Sequence, residues 1–324
     1  MFYAGILPHV PSSNTTNLQD LPATNISLGV AGPPYSWLPY AYLETRSLGI
    51  DRTRQKLYVG MAFQTGADNY EGIFSVNYDG SNRMHILERD GSTLGGIAVA
   101  EGKQKMYYTE GYDQDVGTQH DTRLRRANLD GSAIETVVDM NKMECRLANS
   151  TDEKCPPRVR MLDQVVLDEE EEYLYWTADT LNGIWRASSE IPPGYTWANR
   201  MDIEHLVPWA SPAQFRVIGR SLYWVDSALN SSSDATYPTT SSVYKLDLSG
   251  TGDSKTKLLF NVPLQKYESV QGIAVDPKTG EIWVLVHRES SEISLWRFDS
   301  SGSGTTRVIR DGEHVWFVTG FEVY

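Results

Sequence analysis

Residues 164–177 read Gln164-Val165-Val166-Leu167-Asp168, then Glu169-Glu170-Glu171-Glu172-Tyr173, then Leu174-Tyr175-Trp176-Thr177. A short apolar run closed by Asp, a polar turn, and a second run rich in aromatic residues is the signature of two paired antiparallel strands. The same order returns along the chain. Ser47-Leu48-Gly49-Ile50-Asp51 precedes Leu57-Tyr58-Val59, Gly95-Gly96-Ile97-Ala98-Val99 precedes Met106-Tyr107-Tyr108-Thr109, and Gln271-Gly272-Ile273-Ala274-Val275-Asp276 precedes Ile282-Trp283-Val284. A shortened form, Val217-Ile218 followed by Leu222-Tyr223-Trp224-Val225-Asp226, supplies a fifth copy.

Working outward from each pair, a third strand is predicted at 72–76, 124–127, 183–187, 243–246 and 295–298. Turn residues that tolerate positive φ come next: Asp79-Gly80-Ser81, Asp130-Gly131-Ser132, Leu248-Ser249-Gly250 and Ser301-Gly302. Fourth strands follow at 83–87, 135–138, 257–260 and 306–309. Four antiparallel strands repeating about every 50 residues predict β-propeller blades, here spanning approximately 43–88, 93–138, 161–207, 213–260 and 269–309. The C-terminal stretch from Trp316 reads as an inner strand without a partner, and Phe2-Tyr3-Ala4-Gly5-Ile6-Leu7 as an aromatic strand without an inner one. Joined, 315–324 plus 1–42 make a closing blade. The expectation is an all-β, six-bladed β-propeller that uses residues 1–324 as one domain, with the closing blade shared by the termini.

Tyr175-Trp176-Thr177-Ala178-Asp179, Tyr223-Trp224-Val225-Asp226 and Tyr107-Tyr108-Thr109-Glu110, with the Asp-Gly-Ser turns downstream, resemble the YWTD six-bladed propellers of the LDL-receptor class. The resemblance covers nearly the whole chain. It departs where no cysteine-rich EGF-like module flanks the repeats, and where Leu57-Tyr58-Val59-Gly60 and Ile282-Trp283-Val284-Leu285 lack the Thr-Asp ending.

The 324 residues carry 42 Asp plus Glu against 29 Lys plus Arg, a formal charge of -13 that repels nucleic-acid backbones and anionic membranes. Neither partner is expected. No stretch reaches the roughly 18 to 20 apolar residues of a membrane span. Cys145 and Cys155 lie in a polar segment without a neighbouring Cys/His cluster, so they read either as a local disulfide or as two free thiols, and not as a metal site. Asn14, Asn25, Asn149 and Asn230 each begin an N-glycosylation triplet. These features favour the secretory pathway or an extracellular location, with any signal peptide already removed.

Propellers of the resembled fold generally present ligands at one mouth of the central channel, and the resemblance implies the same here. In phase before the inner strands stand Arg46, Gly95 with Gly96, Asp163 with Gln164, Gln214 with Phe215, Gln271 and Thr319. Arg46, Asp163, Gln164 and Gln271 form a polar set able to donate to a substrate oxygen or, alternatively, to fill the channel with paired charges and water. Between second and third strands, 61–71, 110–122 and 226–241 are expected as long mouth loops, whereas 178–182 and 287–292 are short. Histidine is the side chain whose ordinary ionisation falls near neutral pH, so His120 and His287 are candidates for proton transfer or binding. Tyr112, Trp209, Phe215, Tyr267 and Trp316 are candidates for pocket walls. The run 168–172 reads as a solvated turn.

No HExxH, GxSxG, P-loop or dinucleotide fingerprint occurs in the sequence, so no cofactor is expected. A metal-dependent lactonase would need several channel carboxylates, and only Asp163 qualifies. A protein- or ligand-binding propeller remains a second reading. The reading placed first is a cofactor-free enzyme acting on apolar small molecules: stand-alone secretory-type propellers resemble fungal natural-product cyclases that catalyse hetero-Diels-Alder additions in terpenoid and polyketide biosynthesis. Such chemistry needs a shaped apolar pocket and a few hydrogen-bond donors, with no nucleophile or metal.

Overall fold

In the computed structural model, the described residues are 3–7, 24–27, 42–65, 68–90, 92–112, 122–139, 164–168, 170–177, 183–197, 199–210, 212–227, 240–249, 256–264, 268–288, 293–302, 306–310 and 321–323. Strands β1 (Tyr3–Leu7) and β2 (Thr24–Ser27) open the chain. The first four-stranded sheet holds β3 (Tyr42–Asp51), β4 (Lys56–Thr65), β5 (Asp68–Asn77) and β6 (Met84–Asp90). The second holds β7 (Ser92–Ala100), β8 (Lys105–Tyr112), β9 (Arg123–Asn128) and β10 (Glu135–Asp139). In the third are β11 (Val165–Leu167), β12 (Tyr173–Trp176), β13 (Ile184–Ser188) and β14 (Glu204–Val207). A fourth contains β15 (Pro212–Ile218), β16 (Ser221–Ser227), β17 (Thr240–Asp247) and β18 (Thr256–Pro263). The fifth is β19 (Glu268–Val275), β20 (Ile282–Arg288), β21 (Ile293–Phe298) and β22 (Thr306–Arg310), and β23 (Phe321–Val323) closes the chain.

Each four-stranded sheet is an antiparallel meander in chain order. Among the described residues no helix is long and apolar enough to cross a membrane. The chain divides into two compact units, Pro33–Trp209 with the first three sheets, and Met1–Gly32 with Ala210–Tyr324. Within the first unit the leading strands β3, β7 and β11 lie side by side; within the second, β15, β19 and β23 do the same. Sheets therefore meet face to face along apolar layers. Tyr58, Ile73, Leu94, Ile97 and Tyr108 join the first two sheets, Tyr107, Leu124, Val165, Leu174 and Trp176 the second and third, and Val225, Val243, Ile273, Val284 and Phe298 the fourth and fifth.

The repeat is also written in cross-strand pairs. Tyr107 faces Arg126, Tyr175 faces Arg186, Tyr223 faces Lys245 and Trp283 faces Arg297. In three of these the cation lies over the facing ring, 5.1–5.9 Å from its centroid, within cation–π range; Arg186 instead lies over Tyr173 at 5.0 Å. The first sheet puts Ser75 opposite Tyr58 and lacks the pair.

Two expectations are corrected. The terminal sheet has three strands, β2-β1-β23, and β1 pairs with β23 in parallel, so the four-stranded antiparallel pattern is met by five sheets and not six. The physical reason is that β1 and β23 are joined by no hairpin, which would impose antiparallel pairing. Residues 61–71 do not form a long loop either. Strands β4 and β5 pair continuously from Lys56↔Asn77 to Thr65↔Asp68, which makes this segment an extended hairpin.

Candidate functional site

The lower ends of the sheets, where first strands turn into second and third into fourth, are consumed by structure. Asp79, Asp130, Asp247 and Asp299 each accept the N–H and the hydroxyl of the serine two residues on, at 2.8–2.9 and 2.6 Å. These are Asx turns, and the last two start one and two residues earlier, respectively, than the glycine signals in the sequence suggested. Glu101, on the lower turn of the second sheet, accepts N–H bonds from Arg52 (3.0 Å) and Thr53 (2.8 Å) of the first. Burial opposes its ionisation, but the Thr53 hydroxyl and these two N–H groups outweigh burial and hold its carboxyl below the ordinary range. Glu171, on the third sheet, repeats the device on Gly102 (2.8 Å) and Lys103 (3.1 Å) of the second. The acidic turn is thus a clamp between sheets and not merely solvated. Asp168, beside it, is pushed up by burial.

At the upper ends the leading strands share another feature. Strand β3 loses register between Thr45 and Ser47, β7 between Leu94 and Ile97, β15 between Pro212 and Gln214, and β19 between Val270 and Gly272. The residues held out of the ladders are Arg46, Gly95 with Gly96, Ala213 and Gln271. In the third sheet β11 begins at Val165, immediately after Gln164, whose carbonyl accepts the Thr177 N–H at 3.2 Å. Bulges end regular pairing locally and are frequent beside active sites. Gly96 is forced at its bulge: a Cβ there would lie 2.3 Å from the Val165 nitrogen of the neighbouring leading strand.

The aromatic motif of the second sheet explains how such an end is held. Thr109 is fully buried, and its hydroxyl accepts the Gly96 N–H at 2.7 Å. Glu110 reaches the opposite way, across to the third strand, and accepts from Arg125 Nε. Glu71 of the first sheet accepts the Leu94 N–H. These carboxylates are 6% and 8% exposed, so the upper end of this unit is dry and polar at once. Sequence reasoning missed Glu110, Arg125 and Glu71. The Tyr-Tyr-Thr-Glu motif carried the signal for the first of them.

Gln164 is half-buried. Phe215 is fully enclosed, pairs with Trp224, and offers no surface in this conformation, whereas Trp209 is 45% exposed. Tyr112 ends β8, His287 lies in β20 and Asn25 in β2, each placed by its backbone. Asp163, His120, Tyr267, Trp316, Thr319, Cys145, Cys155, Asn14, Asn149 and Asn230 lie outside the described residues. Among the described residues no group of three or more His, Cys, Asp or Glu side chains is arranged to hold a metal ion.

No protein-family model matches the chain, and no curated protein matches it. Among solved structures, a chain of a nidogen/laminin complex shares 14% identity, with 82% of this chain and 79% of that chain covered and a TM-score of 0.53. An enzyme of glycoside hydrolase family 74 from Niastella koreensis shares 14% identity over 82% and 38%, at a TM-score of 0.49. The periplasmic gluconolactonase of Pseudomonas aeruginosa shares 12% over 82% and 70%, at 0.47. Identities this low speak to fold alone. With the sheet order, the nidogen/laminin likeness defines the class as an all-β propeller with four antiparallel strands per blade.

Proposed function

We propose that the protein is a cofactor-free cyclase that joins an electron-poor heterodiene to an alkene in a hetero-Diels-Alder addition, within natural-product biosynthesis. The terminal sheet β2-β1-β23 is proposed as the sixth blade. The observation that carries the reading is the bulge pattern: in β3 and β19 one residue each leaves the ladder, and these are Arg46 and Gln271, both with donor side chains. Gln164 holds the corresponding place ahead of β11.

The chemistry asks little of the protein beyond such groups. One C–C and one C–O bond form at the expense of π bonds, and no proton, electron or leaving group is exchanged. Holding two reactants in near-attack geometry supplies most of the rate, and donors on the carbonyl oxygen stabilise the charge that gathers there. Arg46, Gln164 and Gln271 are proposed as those donors, with Asp163 orienting Arg46. His120, Tyr112, Trp209, Tyr267, His287, Trp316 and Thr319 are proposed to shape the pocket, with Phe215 behind it. Secretory passage, a Cys145–Cys155 disulfide and glycans on Asn14, Asn25, Asn149 and Asn230 belong to the same proposal. The test is the reaction of an ortho-quinone methide with a terpenoid alkene: acceleration with a single dominant stereoisomer supports the reading, and a racemic product at the uncatalysed rate refutes it.

A second reading, a protein-binding propeller without catalysis, is favoured by the excursion 189–203. Arg200 anchors it through bonds to Val137 O (3.0 Å), Ser188 O (2.7 Å) and Asp202 (2.8 and 2.6 Å), while Tyr195 and Met201 stay 44% and 71% exposed. A loop anchored by Arg200, with exposed apolar tips, suits a protein partner.

A further inference from the structure

The position that follows the first aromatic of each second-strand motif has a partner across the sheet on the third strand. In four sheets that partner is aromatic: Phe74 opposite Val59, Trp185 opposite Trp176, Tyr244 opposite Trp224 and Trp296 opposite Val284. These rings stack on neighbours, as Phe74 does on His85 at 4.6 Å and Trp185 on His205 at 3.7 Å. The second sheet alone puts an arginine there, Arg125 opposite Tyr108.

Packing does not account for the exchange. The fold accepts a large ring at this place four times over, and replacing it with an ion pair whose carboxylate is 7% exposed carries a desolvation penalty that attraction seldom exceeds. A break in a repeat that costs stability marks a site kept for another purpose. The geometry is specific. Glu110 takes the Nε of Arg125, and among the described residues the terminal Nη groups have no other partner, although the side chain is only 19% exposed. The adjacent arginine is used differently: Arg126 is committed to Glu135, Glu190 and the Tyr107 ring.

We propose that Arg125 is a substrate-binding residue whose Nη fork donates to a carbonyl or carboxylate oxygen, with Glu110 as the positioning residue that aims it. A planar, permanently charged fork suits a planar oxygen pair, and a lysine would not reproduce it. The inference deepens the cyclase reading and rests on it for the identity of the ligand: the oxygen is the heterodiene carbonyl, whose developing charge Arg125 would stabilise.

The experiment uses the full chain with Glu110→Gln combined with Arg125→Trp, which restores the aromatic of the other sheets and leaves no unpaired carboxylate. The expected result is a melting temperature at or above that of the parent, with kcat for the quinone-methide addition lowered about 100-fold. A folded double variant with parental kcat and KM overturns the proposal while leaving the cyclase reading intact. Should the double variant not fold, Arg125→Lys decides: a loss of about tenfold or more supports the fork, since ammonium keeps the charge but not the geometry, and unchanged kinetics overturn it. Should the parent show no cycloaddition, the cyclase reading falls by itself, and benzoate titrated against tryptophan fluorescence tests Arg125. Saturable binding lost in the double variant, or in Arg125→Lys where that variant decides, supports it, and identical titrations overturn it.

Discussion

The Glu101 carboxylate receives the Thr53 N–H at 2.8 Å and the Thr53 hydroxyl at 2.5 Å, so a side chain of the second sheet closes the lower turn of the first. Glu171 does the same one sheet further on. The lower ends of the first three sheets are thereby stitched together by carboxylates that hold backbone N–H groups.

This stitching is pH-dependent in a defined direction. The folded-state pKa of Glu101 lies below its ordinary value, so its stabilisation is present above the unfolded-state pKa and is lost as pH falls through the folded one. Glu101→Gln is expected to lower the unfolding free energy by about 1–2 kcal/mol at neutral pH. Urea unfolding of both proteins from neutral to acidic pH checks it: the gap should close below the carboxylate range. A gap of the same size at about pH 3 would mean the carboxylate charge is not the cause.

Arg200 tests how firmly the excursion 189–203 is held. Its side chain is 1% exposed and it bridges the carbonyl of Val137 in the second sheet to the Ser188 carbonyl and Asp202 in the third. Arg200→Leu should cost about 3–5 kcal/mol, because it strands buried acceptors, and Arg200→Lys should recover little of it. Limited proteolysis should cut near Gly194 in the variants and leave the parent intact. Resistance in all three would show that the excursion is held by other contacts.

At Gly96 the obstacle is backbone, which cannot move aside, so Gly96→Ala should cost several kcal/mol, at or above the roughly 1–3 kcal/mol usual for overpacking. Gly194→Ala makes a useful contrast. Its φ is +84°, but nothing lies within 4 Å of the added methyl, so only the conformational term of about 1–2 kcal/mol remains. Paired thermal melts should rank the two in that order, and equal losses would contradict the close approach of β7 and β11.

Much of the fold was legible because each sheet repeats one phrase, an apolar strand closed by Asp or Ala, then a strand with aromatic residues at fixed places. Where the phrase was compressed, as at Val217-Ile218, the strand still formed. Length was read less well: 61–71 was expected as a mouth loop, although four further cross-strand pairs, Ala62↔Glu71 to Thr65↔Asp68, carry the hairpin past Met61. Parallel pairing of β1 with β23 had no local signal, since the two segments stand at opposite ends of the chain. At the upper ends, the phase of the repeats pointed to Arg46, Gly95 with Gly96, and Gln271, which leave the ladders, but to Gln214 with Phe215 in the fourth sheet, where Ala213 does so instead. Arg125 stayed hidden because a third-strand arginine next to Arg126 reads as one more surface charge until register sets it against four aromatic counterparts.

In the cyclase reading, Arg46 and Gln271, released from the ladders of their leading strands, are proposed to carry the reaction. The most direct measurement is the rate and enantiomeric excess of the quinone-methide addition with folded Arg46→Ala and Gln271→Ala proteins beside the parent. Loss of a donor on the carbonyl oxygen is expected to slow the reaction about 10- to 1,000-fold and to erode stereoselectivity in both. Parental rate and enantiomeric excess in both variants would contradict the claim.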